Sequence, residues 1–242
     1  MSTPRGRTTA SRIALAFLLS SNIAIAAPWV PLNSGTRWEY QGDAGGHQVE
    51  TITGTTTLHG RVVAIKHHAE GADTGLENYW LLDADGSVLL AGYFSPAQGS
   101  GLVYEPPIRF VPVPPVLGPQ PFVSTAFHDF ATDAVLFTTP VRYDVTQDLM
   151  LSLPAGTFHA FGVGRYIALP EPNGALGSQI SVDGRLVTFR DKSIFYFDTR
   201  DWFAEDVGEV QYDTGELYQL RSLDLPTATA RSSWGRIKRL YR

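Results

Sequence analysis

The chain has 242 residues, a formal net charge of −5 and no cysteine. The lack of cysteine excludes disulfides, thiol catalysis, thiolate metal sites and iron–sulfur clusters. Acidic residues outnumber lysine and arginine by 24 to 19. This balance argues against nucleic-acid binding, because neutralising phosphates takes clustered basic side chains.

The first 26 residues have the three parts of a secretory signal peptide. Arg5, Arg7 and Arg12 precede the apolar run Ile13–Leu19, and residues 24–26 (Ala-Ile-Ala) fit the small-x-small cleavage pattern. The apolar run is too short for a bilayer span, which needs about 20 residues. The sequence therefore predicts export by the general secretory route, with cleavage after Ala26, to the periplasm or the cell exterior. An uncleaved N-terminal anchor is the alternative.

The mature chain of 216 residues (242 − 26) has the size of a single β domain, which we assign to residues 27–228. A first strand begins at Arg37. Residues 49–58 (VETITGTTTL) are rich in β-branched side chains, which favour strands, and the chain returns through His59-Gly60 into residues 61–67 (RVVAIKH). This pattern predicts an antiparallel hairpin.

Turn sequences separate the later segments. Asp83-Ala84-Asp85-Gly86 connects two apolar segments, and Asp183-Gly184 connects the two arms of residues 179–190. Asp-Gly is a strong hairpin signal, because a tight turn needs positive φ at both central positions. We predict an all-β protein of about ten antiparallel strands, forming a large sheet, sandwich or barrel. The last of these strands are expected at residues 193–197, 207–212 and 216–225.

Residues 106–121 interrupt the pattern with seven of the sixteen prolines. Proline cannot donate a ladder hydrogen bond, so we predict that this segment is not a central strand. The apolar residues between the prolines predict an ordered loop that covers a face or an edge of the sheet. A boundary between two domains is the alternative.

The tripeptide Asp-Thr-Gly begins at Asp73 and again at Asp213. Aspartic proteases use this tripeptide to bring together two carboxylates that share a proton. In those enzymes the tripeptide follows a buried strand and continues with Ser or Thr, whereas Leu76 and Glu216 follow here. We interpret both copies as solvated turns.

The six histidines lack the spacing of a metal site. His67 and His68 are adjacent on a predicted strand, so they point to opposite faces and cannot bind one ion together. No His-x-x-x-His pair occurs, and we interpret the histidines as surface or packed side chains. The six are His47, His59, His67, His68, His128 and His159.

Other site signatures are absent from the sequence. There is no Gly-x-Ser-x-Gly nucleophile motif and no Gly-rich phosphate loop. Asp83-Ala84-Asp85-Gly86 lacks the downstream ligands of a calcium loop. The sequence therefore predicts no catalytic, cofactor-binding or metal-binding residue and no cofactor.

The C-terminal residues 229–242 form a basic tail, with five Lys or Arg among the last twelve residues. A cap at Ser232 or Ser233 would begin a short helix with Trp234 on its apolar face. Such a helix suits an anionic surface or an envelope protein. The alternatives are docking on the acidic body of the protein itself, or disorder.

Three segments resemble a group of exported bacterial proteins described as TapB-like or as domains of unknown function. They are residues 29–40 (WVPLNSGTRWEY), residues 153–158 (LPAGTF) and residues 202–210 (WFAEDVGEV), the last followed by residues 215–220 (GELYQL). The proline-rich segment and the basic tail depart from the pattern of that group.

This resemblance implies a strongly curved antiparallel sheet, a half-barrel similar to that of periplasmic lipoprotein carriers. Those carriers hold acyl chains on the concave face, so an apolar ligand such as a lipid is one hypothesis, by analogy of fold. A structural module that binds envelope proteins is the second. A hydrolase built from dispersed residues ranks third, and it would need a cleft with converging carboxylates or imidazoles.

Overall fold

A computed structural model describes residues 29–167, 179–182, 185–188 and 195–226, and side chains are described outside the range 179–200. The predicted signal peptide and the basic tail, with its predicted helix, lie outside these residues. Within them, no helix is long and apolar enough to cross a bilayer. The described secondary structure consists of fifteen strands: β1 (Arg37–Gly42), β2 (His47–Leu58), β3 (Arg61–Glu70), β4 (Glu77–Leu82), β5 (Val88–Ser95), β6 (Ser100–Val111), β7 (Gly118–Pro119), β8 (Val123–Asp129), β9 (Val135–Leu153), β10 (Gly156–Ile167), β11 (Gln179–Val182), β12 (Arg185–Thr188), β13 (Phe195–Ala204), β14 (Gly208–Asp213) and β15 (Leu217–Asp224).

Twelve of these strands form a closed antiparallel barrel. Each pairs with the next along the chain, passing over β7 and the separate β11–β12 hairpin. The first and last strands close the ring, with Arg37 opposite Asp224 and Gly42 opposite Tyr218. The all-β antiparallel class is confirmed, but the half-barrel is corrected to a closed barrel. Closure pairs the two edges that an open sheet would leave exposed.

Several turns lie where the sequence places them. The β2–β3 turn is His59-Gly60, both with positive φ (46° and 74°). Gly86 N–H donates to the Asp83 carbonyl between β4 and β5, and Leu153 pairs with Gly156 across the β9–β10 turn. The arms of the β11–β12 hairpin pair as predicted, while Asp183 and Gly184 lie outside the described residues.

The proline-rich segment is only partly a loop. Pro106 and Pro107 belong to β6, contrary to the prediction that no central strand runs through this segment. The ladder to β5 accommodates them in a bulge, since Val103 is opposite Gly92 and Ile108 is opposite Leu90. The prolines therefore lie where β6 has no regular partner on β5, so their missing N–H groups break no ladder hydrogen bond.

Aromatic side chains fill the barrel interior. Eleven of those described are at most 8% exposed, and they belong to one continuous core. Phe110 contacts Trp80 and Phe203 with ring centroids 4.6 and 5.5 Å apart, which carries the packing across the barrel. The eleven are Trp38, Tyr40, Trp80, Tyr93, Tyr104, Phe110, Phe127, Trp202, Phe203, Tyr212 and Tyr218.

A second, smaller core lies apart from the first. It contains Val63, Tyr79 and Ala91, with Phe130 from the β8–β9 turn packed against it. The rings of Tyr79 and Phe130 stack with centroids 5.4 Å apart. This core draws the β8–β9 turn toward the β2–β3 hairpin.

Candidate functional site

Charged side chains from three strands meet inside the barrel. Alternation along β2 and β3 turns Glu50, Lys66 and His68 to the same side, because residues two apart share a face. Lys66 Nζ lies 2.6 Å from Glu50 Oε2 and 3.1 Å from Oε2 of Glu209 on β14, and His68 Nδ1 lies 3.5 Å from Glu50 Oε1. We call Glu50, Lys66, His68 and Glu209 the interior cluster.

Two amide side chains complete the hydrogen bonding of His68. Gln48 Nε2 lies 2.7 Å from His68 Nδ1, and Asn78 Nδ2 lies 3.0 Å from His68 Nε2. A neutral imidazole carries one N–H, so one of the two amides has to present its oxygen instead. Rotating the Asn78 amide by half a turn meets this need, because Asn78 Oδ1 then accepts the N–H of His68 Nε2. Without this rotation Asn78 Oδ1 has no hydrogen-bond partner among the described residues.

Burial and mutual attraction set the charges of the interior cluster. Burial raises the pKa of Glu209 to about 7 and lowers the pKa of His68. Burial also acts to raise the pKa of Glu50, but the charge of Lys66 and the hydrogen bonds from Lys66 and Gln48 outweigh it and lower that pKa. Burial likewise opposes protonation of Lys66, yet Glu50 and Glu209 hold its pKa above the ordinary value. At neutral pH the cluster thus contains a charged Lys66–Glu50 pair.

The interior cluster is closed off from solvent. Its four side chains are between 2% and 10% exposed, and Lys66 Nζ lies 4.8 Å from the centre of the Trp80 ring. These are the converging, perturbed groups that a hydrolase would need, but a hydrolase also needs them in an accessible cleft. We interpret the cluster as a structural network that holds β2, β3 and β14 in register.

The barrel wall opens on another side, between β6 and β8. These strands pair only as far as Glu105 opposite Ala126. Beyond that point residues 108–111 pair with β5, and Val123 pairs with β9. The separation leaves a cavity of about 580 Å³ lined by residues of both strands, which we call the lateral slit.

The lateral slit is apolar in its depth. Ile108, Val141 and Thr125 are at most 6% exposed and form its inner lining, so the slit reaches the barrel core. Val123, half exposed at 50%, lies at its mouth. Three prolines also line it and present no N–H group: Pro106, Pro107 and Pro121.

Each of the three arginines at the slit is ion-paired. Arg61 forms two hydrogen bonds to Glu105, at 2.7 and 2.9 Å. Arg109 lies 2.9 Å from Asp83 and 2.9 Å from Asp85. The third, Arg142, lies 3.0 Å from Asp144. Because these three cations face four carboxylates, the described residues give the slit no excess positive charge to attract an anion.

A second cavity of about 490 Å³ lies beside the β9–β10 turn. Residues 155–158 and residues 220–225 line it, and Ala155 N–H donates to the Leu220 carbonyl. Two of the segments that carried the family resemblance, residues 153–158 and 215–220, thus meet in space. Their contact is a packing contact between a hairpin end and β15.

The two Asp-Thr-Gly tripeptides lie in turns, as predicted. Thr74 Oγ1 donates to the Gly71 carbonyl in the β3–β4 turn. Gly215 N–H donates to Asp213 Oδ1 between β14 and β15. Asp83 and Asp85 also lie in a turn, where they bind Arg109. These contacts account for all four aspartates as turn residues.

The histidines differ in burial and in the side chains that they contact. His67 and His68 point to opposite faces, as expected: His68 is buried, and His67 Nδ1 is 4.0 Å from Glu77 on the other face. His159 is exposed and lies 2.5 Å from Asp148. His59 and His128, far apart in sequence, lie together with Asp133. No local spacing signals this group, since its members come from two different turns and a strand.

The chain matches no family model and no curated protein, so the TapB-like resemblance is not confirmed by a family match. Among solved structures it is similar to a "putative lipoprotein" from Parabacteroides distasonis, at 13% identity and a TM-score of 0.36 over 82% of this chain and 99% of that one. It is also similar to a "putative exported protein with YmcC-like fold" from Bacteroides fragilis, at 11% identity and a TM-score of 0.38 over 82% of this chain and 100% of that one.

Proposed function

We propose that the mature protein is an exported, non-catalytic binding protein that holds an apolar ligand in the lateral slit. The observation that carries this proposal is the slit itself. Its volume of about 580 Å³ falls within the range of ligand sites, roughly 300–1,000 Å³. Its inner lining includes the core residues Ile108 and Val141, so a ligand there replaces water against apolar surface.

The charges at the slit define the ligand further. The guanidinium groups of Arg61, Arg109 and Arg142 each have a carboxylate partner. An anionic head group would have to break these pairs, and each exchange would gain little. The proposed ligand is therefore neutral and apolar rather than a fatty acid or a phospholipid bound through its phosphate.

The site also differs from the acyl-chain site of lipoprotein carriers. The barrel interior is filled by the protein's own rings, including Trp38, Tyr104 and Phe127. The proposed ligand therefore enters from the side, through the wall, and rests on this packed core. Export rests on the N-terminal signal sequence, whose charged and apolar parts have the order of a secretory signal.

A pair of valine variants tests the proposal. Val123→Trp places an indole at the mouth of the slit, whereas Val135→Trp adds the same group at a position outside the slit with similar exposure (57% against 50%). The probe is the neutral fluorophore N-phenyl-1-naphthylamine, titrated into the mature protein. We expect Val123→Trp to weaken binding by about tenfold, equivalent to ~1.4 kcal/mol, and Val135→Trp to leave it unchanged.

Two outcomes would contradict the proposal. One is that the wild-type protein does not bind the probe saturably; the other is that both variants weaken binding equally, which would place the probe elsewhere on the surface. Mass spectrometry of the purified protein under native conditions identifies any ligand retained from the cell. Loss of a retained species in Val123→Trp alone would assign that species to the slit.

A further inference from the structure

Two histidines and one aspartate converge near the edge of the second core. His59 lies in the β2–β3 turn, His128 on β8 and Asp133 in the β8–β9 turn. His59 Nε2 lies 2.7 Å from Asp133 Oδ1, and His128 Nδ1 lies 3.2 Å from the same oxygen. The two imidazole rings cross at 79° with centroids 4.9 Å apart.

We propose that His59, His128 and Asp133 bind a divalent transition-metal ion of the zinc type. Two imidazole nitrogens and one carboxylate oxygen form a ligand set that zinc accepts, with water in the fourth position. The possible ligand atoms all lie within 4.8 Å of one another. Two ligands of one zinc ion, each about 2.0–2.2 Å from it, lie at most about 4.4 Å apart, so small side-chain movements complete the site.

The backbone supports this convergence. His59 and Asp133 both have positive φ, 46° and 58°, a conformation uncommon for residues other than glycine. The strained turns bring the two side chains together from separate hairpins. The Phe130 ring, three residues before Asp133, stacks on Tyr79 and Phe94 and anchors the β8–β9 turn.

An outer carboxylate orients the first histidine. His59 Nδ1 lies 3.5 Å from Glu105 Oε2, and the paired hydrogen bonds from Arg61 fix Glu105 and hold its pKa low. Histidine ligands of metals ordinarily donate their second ring nitrogen to such a carboxylate, which sets the tautomer that leaves the other nitrogen free to bind. Here that other nitrogen is Nε2, the one facing Asp133.

The group is open to solvent, so an ion has a path of entry. The side chains of His59, His128 and Asp133 are 24%, 15% and 69% exposed. Asp133 is the most exposed of the three and the freest to adjust to the ion. A bound ion would tie the β2–β3 turn to the β8–β9 turn, two parts of the surface that share no strand pairing.

Isothermal titration of the mature protein, prepared without a polyhistidine tag, with zinc ions alone tests this site. We expect one saturable site per chain. His59→Asn and Asp133→Asn keep a residue that tolerates positive φ, and His128→Asn alters a strand position. Each should lower the affinity for zinc by more than Glu105→Gln does. Glu105 contacts the ligand His59 but is not itself a ligand, and loss of such a carboxylate costs about 10–100-fold in affinity.

His159→Asn is the matched control, because His159 lies on a strand and its one acidic partner among the described residues is Asp148. We expect it to bind zinc as the wild-type protein does. Circular dichroism verifies that each variant keeps its β structure, and zinc should raise the melting temperature only in proteins that retain the site. Absence of one-to-one binding in the wild-type protein, or equal losses in His128→Asn and His159→Asn, would overturn the proposal.

Discussion

Lys66 and Arg109 are each held between two carboxylates, Lys66 inside the barrel and Arg109 outside it. Lys66 Nζ lies 2.6 Å from Glu50 and 3.1 Å from Glu209. Arg109 lies 2.9 Å from both of its partners, Asp83 and Asp85. The distances are alike, but the side chain of Lys66 is 5% exposed and that of Arg109 is 34% exposed.

The difference in exposure decides what each group contributes. If Arg109 is removed, its two carboxylates regain water, so the loss is small. If Lys66 is removed, Glu50 and Glu209 stay in a medium that solvates charge poorly. The contribution of each ion pair to the free energy of unfolding therefore depends mainly on its burial, and much less on the number or length of its contacts. Three substitutions and one control variant, Glu39→Gln, test this comparison.

The largest effect is expected for Lys66→Met. The methionine keeps the length of the side chain and its contact with Trp80, but it leaves two buried carboxylates without a cation. We expect a loss of about 3–5 kcal/mol in the free energy of unfolding, measured by urea denaturation. The triple variant with Glu50→Gln and Glu209→Gln removes all three ionisable groups and should recover much of that loss. A cost for Lys66→Met no larger than that of Arg109→Ala would contradict the comparison.

The next effect depends on pH and is expected for Glu209→Gln. Glu209 ionises near pH 4.5 when unfolded and at a pKa of about 7 when folded. Between these values the unfolded state releases the proton and the folded state keeps it, so this residue lowers stability as the pH rises. Glutamine cannot ionise, so the variant should gain stability relative to the wild-type protein from pH 5 to pH 8, at about 1.4 kcal/mol per unit of pKa.

Glu39→Gln provides a control of opposite sign. The hydrogen bond with His47 is the main factor that lowers the pKa of Glu39, so its stabilising effect is present above its unfolded pKa and is lost as the pH falls. Urea denaturation should therefore show Glu39→Gln costing more stability relative to the wild-type protein at pH 6 than at pH 3, because the ordinary pKa of 4.5 lies between these values. If the stability of both variants relative to the wild-type protein changed in the same direction as the pH rises, Glu209 would not be held in its neutral form by burial.

The strands and most turns were predictable from the sequence because their signals are local. His59-Gly60 stands between segments of alternating residues, and a two-residue turn with positive φ at both positions favours such residues. The closure of the barrel has no local signal, since it depends on Arg37 meeting Asp224. The prolines also predicted a loop at residues 106–111, which belong to β6 instead. The bulge that accommodates Pro106 and Pro107 depends on the partner strand, so it has no local signal either.

The interior cluster was missed for a physical reason. Charged residues that alternate along a strand ordinarily face water, so Glu50 and Lys66 fit an exposed face. They face inward because Glu209, 143 residues from Lys66, supplies a second partner across the barrel. The group of His59, His128 and Asp133 escaped prediction in the same way, since its two turns meet through contacts that are distant in sequence, such as the packing of Phe130 against the second core.

The smallest effect is expected for Arg109→Ala. The guanidinium group holds two carboxylates of the β4–β5 turn, but all three side chains are between 34% and 43% exposed. Pairs of this kind contribute about 0.2–1 kcal/mol, and salt weakens them. We expect urea denaturation to show a cost within about that range at low salt and a smaller cost in 1 M NaCl. Loss of Lys66 should remain expensive in 1 M NaCl, because screening ions do not reach a charge enclosed by the barrel.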